Sequence, residues 1–281
     1  MPVYKYLPEE RSDIIKRLLI RFSPRGALND PYECLPAMPK IDPETIIDRI
    51  GKNILSDPNL SEAEKKRQFR EFKKGRKDAR EVYRRDPDRL GKLYLESITF
   101  LNNRDLGILS LSKRWDSTVM WAHYSQCHRG FVIGFDERDS FFSRGPEDPT
   151  DLGTLKEVLY SAERCVTDPM SREDEPSFLL RKNTDWAYEQ EMRLLRPLCN
   201  RHKFLSRPGE EYDISLFRVP PGAIESVCFG MNASEQLKND LVSSVVANPE
   251  LQHVRFFQAR LSFRTFAMDR DGVDLSDFLQ G

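Results

Sequence analysis

No apolar run in the chain approaches the roughly 20 residues that span a bilayer, and the opening Met1-Pro-Val-Tyr-Lys-Tyr6 lacks the apolar stretch of a secretion signal. Both absences predict a soluble, cytoplasmic protein with no membrane partner. Neither a G-x-G-x-x-G turn nor a P-loop occurs, which removes the Rossmann and NTPase readings. The cysteines stand singly at Cys34, Cys127, Cys165, Cys199 and Cys228 without a C-x-x-C pair, so reduced thiols are expected rather than a disulfide frame. His123, Cys127 and His128 lie close together, but a zinc site needs further partners, and no metal is expected. The net charge of −1 gives no global field for gathering nucleic acid or membrane.

What is present suits a folded globular chain. Of 281 residues, 39% are hydrophobic and 10% aromatic, enough large side chains for a core despite 32% charged residues. Strand-like runs at 4–6, 19–23, 107–112, 130–135, 189–196 and 224–229, with closing strands within 254–266, are separated by short helical patterns at 117–124 and 234–246. A strand within 155–160 and a helix over 176–185 are also expected. Without regular alternation of strand and helix, this order predicts a single α+β domain over 1–281. Residues 44–103 read as a helical insertion within it, with Ser61-Glu-Ala-Glu64 as a capping box and Phe69, Phe72, Arg76, Ala79 and Tyr83 as one stripe. Charge is unevenly spread: 62–92 carries 13 Lys/Arg against 7 Asp/Glu, whereas 136–176 carries 12 acidic and 5 basic residues. The basic helix over 62–92 reads either as a solvated face or, as an alternative function for the chain, as a non-catalytic nucleic-acid-binding module gripping phosphates.

Three polar clusters interrupt the apolar pattern. The first joins Tyr4-Lys5-Tyr6 with Phe22-Ser23 and Leu28-Asn-Asp-Pro-Tyr-Glu33; the second is Ser110-Leu-Ser112 followed by Met120-Trp-Ala-His-Tyr124; the third is Trp186-Ala-Tyr-Glu-Gln-Glu-Met-Arg193. On a strand, Glu189 and Glu191 project from the same face, as do Ser110 and Ser112. Adjacent carboxylates raise one another's pKa unless solvated or paired, and such a pair suits holding a hydroxyl and steadying a developing positive charge. The same pair also reads as a solvated edge, or as partners of Arg181, Lys182 and Arg193.

Taken in order, these motifs resemble a bacterial family catalogued as domain of unknown function 2971, from residue 4 to about residue 230, with the basic helices as a variable insert. Members of that family occur around phage-defence loci. More remotely, the pattern is similar to the ADP-ribosyltransferase fold, which implies a split sheet and NAD as substrate, with no metal. Lys5 or Tyr6 would take the first-strand position, Ser110 and Ser112 the Ser-x-Ser position, and Glu191 the catalytic one. In this resemblance Glu191 holds the ribose 2′-hydroxyl and stabilises the oxocarbenium ion, while Glu189 orients or deprotonates the acceptor. Asn29, Trp121, His123 and Tyr124 join Lys5, Tyr6, Ser110 and Ser112 as candidate NAD-binding residues. A protein or nucleic-acid acceptor, an antitoxin partner and a toxin or phage-defence role are what the resemblance implies.

Overall fold

The run Phe131-Val-Ile-Gly-Phe135 offers no polar side, and a strand of that kind must be covered on both faces. In the computed structural model, which describes residues 1–39, 42–143, 153–167, 177–209, 211–275 and 278, it lies inside an eight-stranded mixed sheet with all five residues buried. The chain is α+β and forms two compact units, one made of residues 1–34, 101–163 and 179–281, the other of 35–100 and 164–178. In chain order the elements are β1 (Pro2–Leu7), α1 (Asp13–Arg17), β2 (Leu19–Phe22), α2 (Pro43–Ser56), α3 (Glu62–Arg85), α4 (Arg89–Asp105), β3 (Leu106–Ser112), α5 (Thr118–Tyr124), β4 (Phe131–Asp136), β5 (Lys156–Glu157), β6 (Leu159–Ser161), β7 (Arg181–Asn183), β8 (Glu191–Pro197), β9 (Lys203–Leu205), β10 (Ile214–Arg218), β11 (Ile224–Phe229), α6 (Glu235–Val246), β12 (Arg255–Leu261) and β13 (Met268–Gly272).

The main sheet has the order β13-β12-β11-β4-β1-β3-β8-β5, and β11–β12 is its parallel pair. One face carries the principal core, in which Val3, Leu7, Leu109, Leu111, Phe131 and Phe135 meet Ile14 and Ile15 of α1 and Leu237, Leu241 and Val245 of α6. The other face carries Tyr4, Tyr6, Val132 and Cys228 against Met120 and Trp121 of α5. Alternation along β1 therefore sends Tyr4 and Tyr6 to one side and Val3, Lys5 and Leu7 to the other.

Pairing strength along the sheet is uneven. β1 and β4 match at six register positions from Pro2↔Asp136 to Leu7↔Phe131, whereas β1 and β3 match only at Tyr4↔Ser112. Beyond that point β3 turns its bonds elsewhere, its Ile108 bridging Ser23 after β2. The sheet is thus parted between β1 and β3. Firm attachment of β1 to β4 comes with close backbone approach: a Cβ on Gly130 would lie 2.0 Å from the Leu7 carbonyl oxygen, so only glycine fits there.

In the second unit, Asp42 caps α2 by accepting the Glu44 and Thr45 amides, and Ser61 with Glu64 forms the expected capping box on α3. Phe69 and Phe72 turn the apolar side of α3 onto Gly51 of α2.

Differences from the sequence pattern have local causes. Ser12, of a residue type that commonly caps helices, makes no side-chain cap on α1, because it already sits in helical geometry between a 3₁₀ turn and that five-residue helix. The described part of 176–185 is not one helix; it runs as the 3₁₀ turn Ser177–Leu180, then β7, then the start of a second 3₁₀ turn, Thr184–Glu189. The strand expected within 155–160 is two short ones, β5 and β6, and β10 was hidden because its five residues lack a polar alternation. Much of the acidic loop, at 144–152 and 168–176, and the side chain of Ala79 lie outside the described residues.

Gly75 sits inside α3, where glycine costs roughly 1 kcal/mol relative to alanine, and a Cβ there would meet nothing within 4 Å. Gly75→Ala is expected to raise the unfolding free energy by about 0.5–1 kcal/mol in urea melts; a loss of stability would contradict the described helix.

Candidate functional site

A recess of about 220 Å³ opens at the parting of β1 and β3. Its walls include Lys5, Tyr6, Ser23, Asn29, Glu33, Ser110, Ser112, Tyr124, Lys182, Glu189 and Glu191, all from the first unit. The three supporting strands β1, β3 and β8 are neighbours, and register places Ser112 opposite Glu191 and Ser110 opposite Arg193.

The floor is a buried ion network. Arg193, fully buried, donates from Nε and Nη2 to Glu191 at 2.9–3.0 Å, from Nη2 to Glu33, and from Nη1 to the Leu179 carbonyl and the Cys34 sulfur. Lys182, its side chain 7% exposed, reaches Glu189 at 2.6 Å, Glu191 at 3.2 Å and Glu33 at 3.3 Å. Its ammonium also lies 4.8 Å from the Trp186 ring centroid. Glu33 is delivered by the Leu28–Glu33 loop: Asp30 accepts the Tyr32 amide as an Asx turn, and Arg25 grips the Pro31 and Glu33 carbonyls.

Glu189 and Glu191 do not share a strand face. Glu189 ends the 3₁₀ turn Thr184–Glu189, Gln190 takes a left-handed φ of 44°, and β8 begins at Glu191. That turn still brings both carboxylates onto the Lys182 ammonium. Glu189 also accepts the Tyr124 hydroxyl, and Ser112 anchors the turn by donating to the Glu189 carbonyl at 2.6 Å. The Glu191 amide donates to the Tyr160 hydroxyl at 2.8 Å. Of the cations expected as partners of the pair, Lys182 and Arg193 take that role, and burial of Glu189 (4% exposed) and Glu191 (1%) excludes a solvated edge.

Electrostatics divide the acids. Burial acts to raise Glu191, but the Arg193 and Lys182 cations and hydrogen bonds from Ser110 and Arg193 outweigh it and hold the carboxyl below its ordinary range. Burial, reinforced by the Glu191 charge, pushes Glu33 up despite the same two cations. Burial depresses Lys5 to about 8, partly opposed by the Glu191 and Glu189 charges. Its Nζ donates to the Ser110 carbonyl at 2.8 Å. Burial also raises the Cys34 thiol to about 12, which keeps it protonated and unreactive. Three carboxyl groups face the two network cations on one wall of the recess, with Lys5 on another.

Of the residues picked from sequence, Lys5, Tyr6, Asn29, Ser110, Ser112, Tyr124, Glu189 and Glu191 come together. Trp121 and His123 do not. Trp121 is fully buried, edge-on to Tyr6 at 5.4 Å and bonded through Nε1 to the Trp115 carbonyl, because α5 turns it into the second core. His123 lies on the exposed side of α5 and meets the Tyr188 hydroxyl at 3.1 Å. Tyr6 lines the recess but spends its hydroxyl on the Arg114 carbonyl. Glu33, Lys182 and Arg193 were not singled out as site residues, although each lies inside or beside a motif. No group of three or more His, Cys, Asp and Glu able to hold a metal ion occurs among the described residues. No helix there is long and apolar enough to cross a membrane.

A recess of 220 Å³ is smaller than the roughly 300–1,000 Å³ of whole-ligand sites.

The sequence over residues 120–194 matches the model of a family described as a protein of unknown function, DUF2971. That segment carries Tyr124, Lys182, Glu189, Glu191 and Arg193, whereas β1 and β3 lie outside it. No curated protein and no solved structure matches the chain.

Two outcomes follow from the network. Glu191→Gln leaves Arg193 and Lys182 undercompensated in the interior and is expected to cost about 3–5 kcal/mol in urea unfolding near neutral pH. Because the folded pKa of Glu191 lies below the unfolded value, its contribution is present above the unfolded pKa and is lost as pH falls through the folded one. The gap between wild type and variant must therefore narrow on acidification. For Lys5 the folded pKa near 8 is below the unfolded value of about 10.4, so the unfolded chain binds more protons between them. Stability is expected to rise with pH across that window in wild type and to rise less in Lys5→Met; parallel curves would contradict the burial of Lys5.

Proposed function

We propose that the recess is an ADP-ribosyltransferase-like site that uses NAD as substrate, with Glu191 as its principal acid. The observation that carries this reading is the meeting of Lys5, Ser110 and Glu191, from adjacent strands, at the parted sheet, where Ser110 helps hold the Glu191 carboxyl below its ordinary range. A basic residue on the first strand, a Ser-x-Ser strand and a glutamate at the head of a later strand are what the ADP-ribosyltransferase resemblance asks for. The neighbouring order β1-β3-β8 supports it.

The chemistry follows from charge. Breaking the bond between ribose C1′ and the nicotinamide nitrogen sends the electron pair to the leaving ring and leaves positive charge on the ribose. Glu191, held ionised, accepts the 2′-hydroxyl and opposes that charge at short range, where little water screens it. Lys5 faces the diphosphate. Glu189 takes the proton from the acceptor as its nucleophile attacks C1′, while Tyr124 and Lys182 keep the carboxylate in place. A protein or nucleic-acid acceptor, and a toxin or phage-defence setting, accord with this chemistry.

Free nicotinamide measured after incubation with NAD tests the reading. Wild type is expected to release nicotinamide, and Lys5→Met and Ser110→Ala, which leave the five-residue ion network intact, to lose about 10²-fold or more in rate. Glu191→Gln should fall at least as far while retaining native circular dichroism. Release equal in wild type and all three variants, or none above buffer, overturns the proposal.

A further inference from the structure

The cations of α3 are not equivalent. Lys65 pairs with Glu62 at 3.2 Å, Arg76 with Asp48 at 3.4 Å, Arg80 with Glu44, and Arg84 and Arg85 with Glu81 at 2.8 and 3.2 Å. Lys66, Arg70, Lys73 and Lys77 are exposed and make no ion pair among the described residues. Their spacing of four, three and four residues aligns them on one line of the helix surface. That line extends about 16 Å at roughly 1.5 Å per residue. The next line, Arg67, Glu71, Lys74 and Asp78, alternates in sign. Folding therefore concentrates the uncompensated charge of α3 into one cationic stripe.

We propose that this stripe is a binding site for the phosphate backbone of a nucleic acid. Phosphates recognised in a row need regularly spaced, solvent-facing cations and no pocket, which the stripe supplies. A protein partner is disfavoured: interface centres are depleted in lysine and rely on aromatic or aliphatic anchors, whereas the aromatic residues of this helix surface, Phe69 and Phe72, pack on Gly51 of α2. The line itself carries no apolar side chain for an interfacial membrane helix to insert. The line offers cations at regular spacing for phosphates, so binding is to the backbone and indifferent to sequence. It is independent of the NAD chemistry proposed above.

The test is fluorescence anisotropy of the full chain with labelled oligonucleotides of unrelated sequence, as single-stranded DNA, single-stranded RNA and duplex DNA. Four phosphate contacts predict log affinity against log salt with a slope of about −3.6 on duplex or about −2.8 on a single strand, a ~50–150-fold fall between 50 and 200 mM. Lys66→Gln/Arg70→Gln/Lys73→Gln/Lys77→Gln is expected to abolish binding with unchanged circular dichroism. Lys65→Gln/Arg85→Gln, which removes two internally paired cations that lie off the line, is expected to leave it within about two-fold. If the quadruple variant loses helix, Lys73→Gln and Lys77→Gln singly must each reduce the slope by about 1. Salt-independent binding, equal affinity in both multiple variants, no binding at low salt, or equally tight cosedimentation with phosphatidylserine vesicles overturns the proposal.

Discussion

Arg193 is the group on which the site depends. A guanidinium with no solvent contact is tolerated only where acceptors surround it, and Glu191, Glu33 and the Leu179 carbonyl do so from three separate parts of the chain. Removing any one acceptor strands a charge in low dielectric, so the loop ending at Glu33, the turn after Leu179 and the head of β8 are locked to one geometry. Such a network costs desolvation energy that an apolar cluster would not. Its presence beside a recess is more readily understood as positioning than as stability.

The position created is specific. Lys182 and Arg193 fix the charge state of Glu191, Ser112 and Tyr124 fix Glu189, and the single register contact between β1 and β3 leaves room for both acids to face a ligand. Lys5 comes from the face of β1 opposite Tyr4 and Tyr6, and reaches the Ser110 carbonyl only because the sheet parts there. A continuous sheet would have placed that ammonium among the apolar residues of the principal core.

Much of this was legible in the residues. Apolar runs such as Phe131–Phe135 declared their strands because nothing polar competes within them, and Ser61 with Glu64 declared the start of α3 through local hydrogen bonds alone. The polar motifs were also informative, since hydroxyls and acids inside apolar strands must find partners or a ligand. What remained hidden was tertiary. Trp121 and Tyr124 are three residues apart on α5, yet one fills the second core and the other reaches Glu189. Nothing in their spacing tells which. Arg193 was legible as a partner of the glutamate pair, but its central role was not, because its distant partners Glu33 and Leu179 are gathered only by the fold.

The most direct measurement is a crystal structure of the protein with a non-hydrolysable NAD analogue. The account predicts the nicotinamide–ribose end between β1 and β3, its 2′-hydroxyl within hydrogen-bonding distance of the Glu191 carboxylate and its diphosphate toward Lys5. An analogue bound elsewhere on the protein, or a recess that stays vacant at saturating concentration, contradicts it.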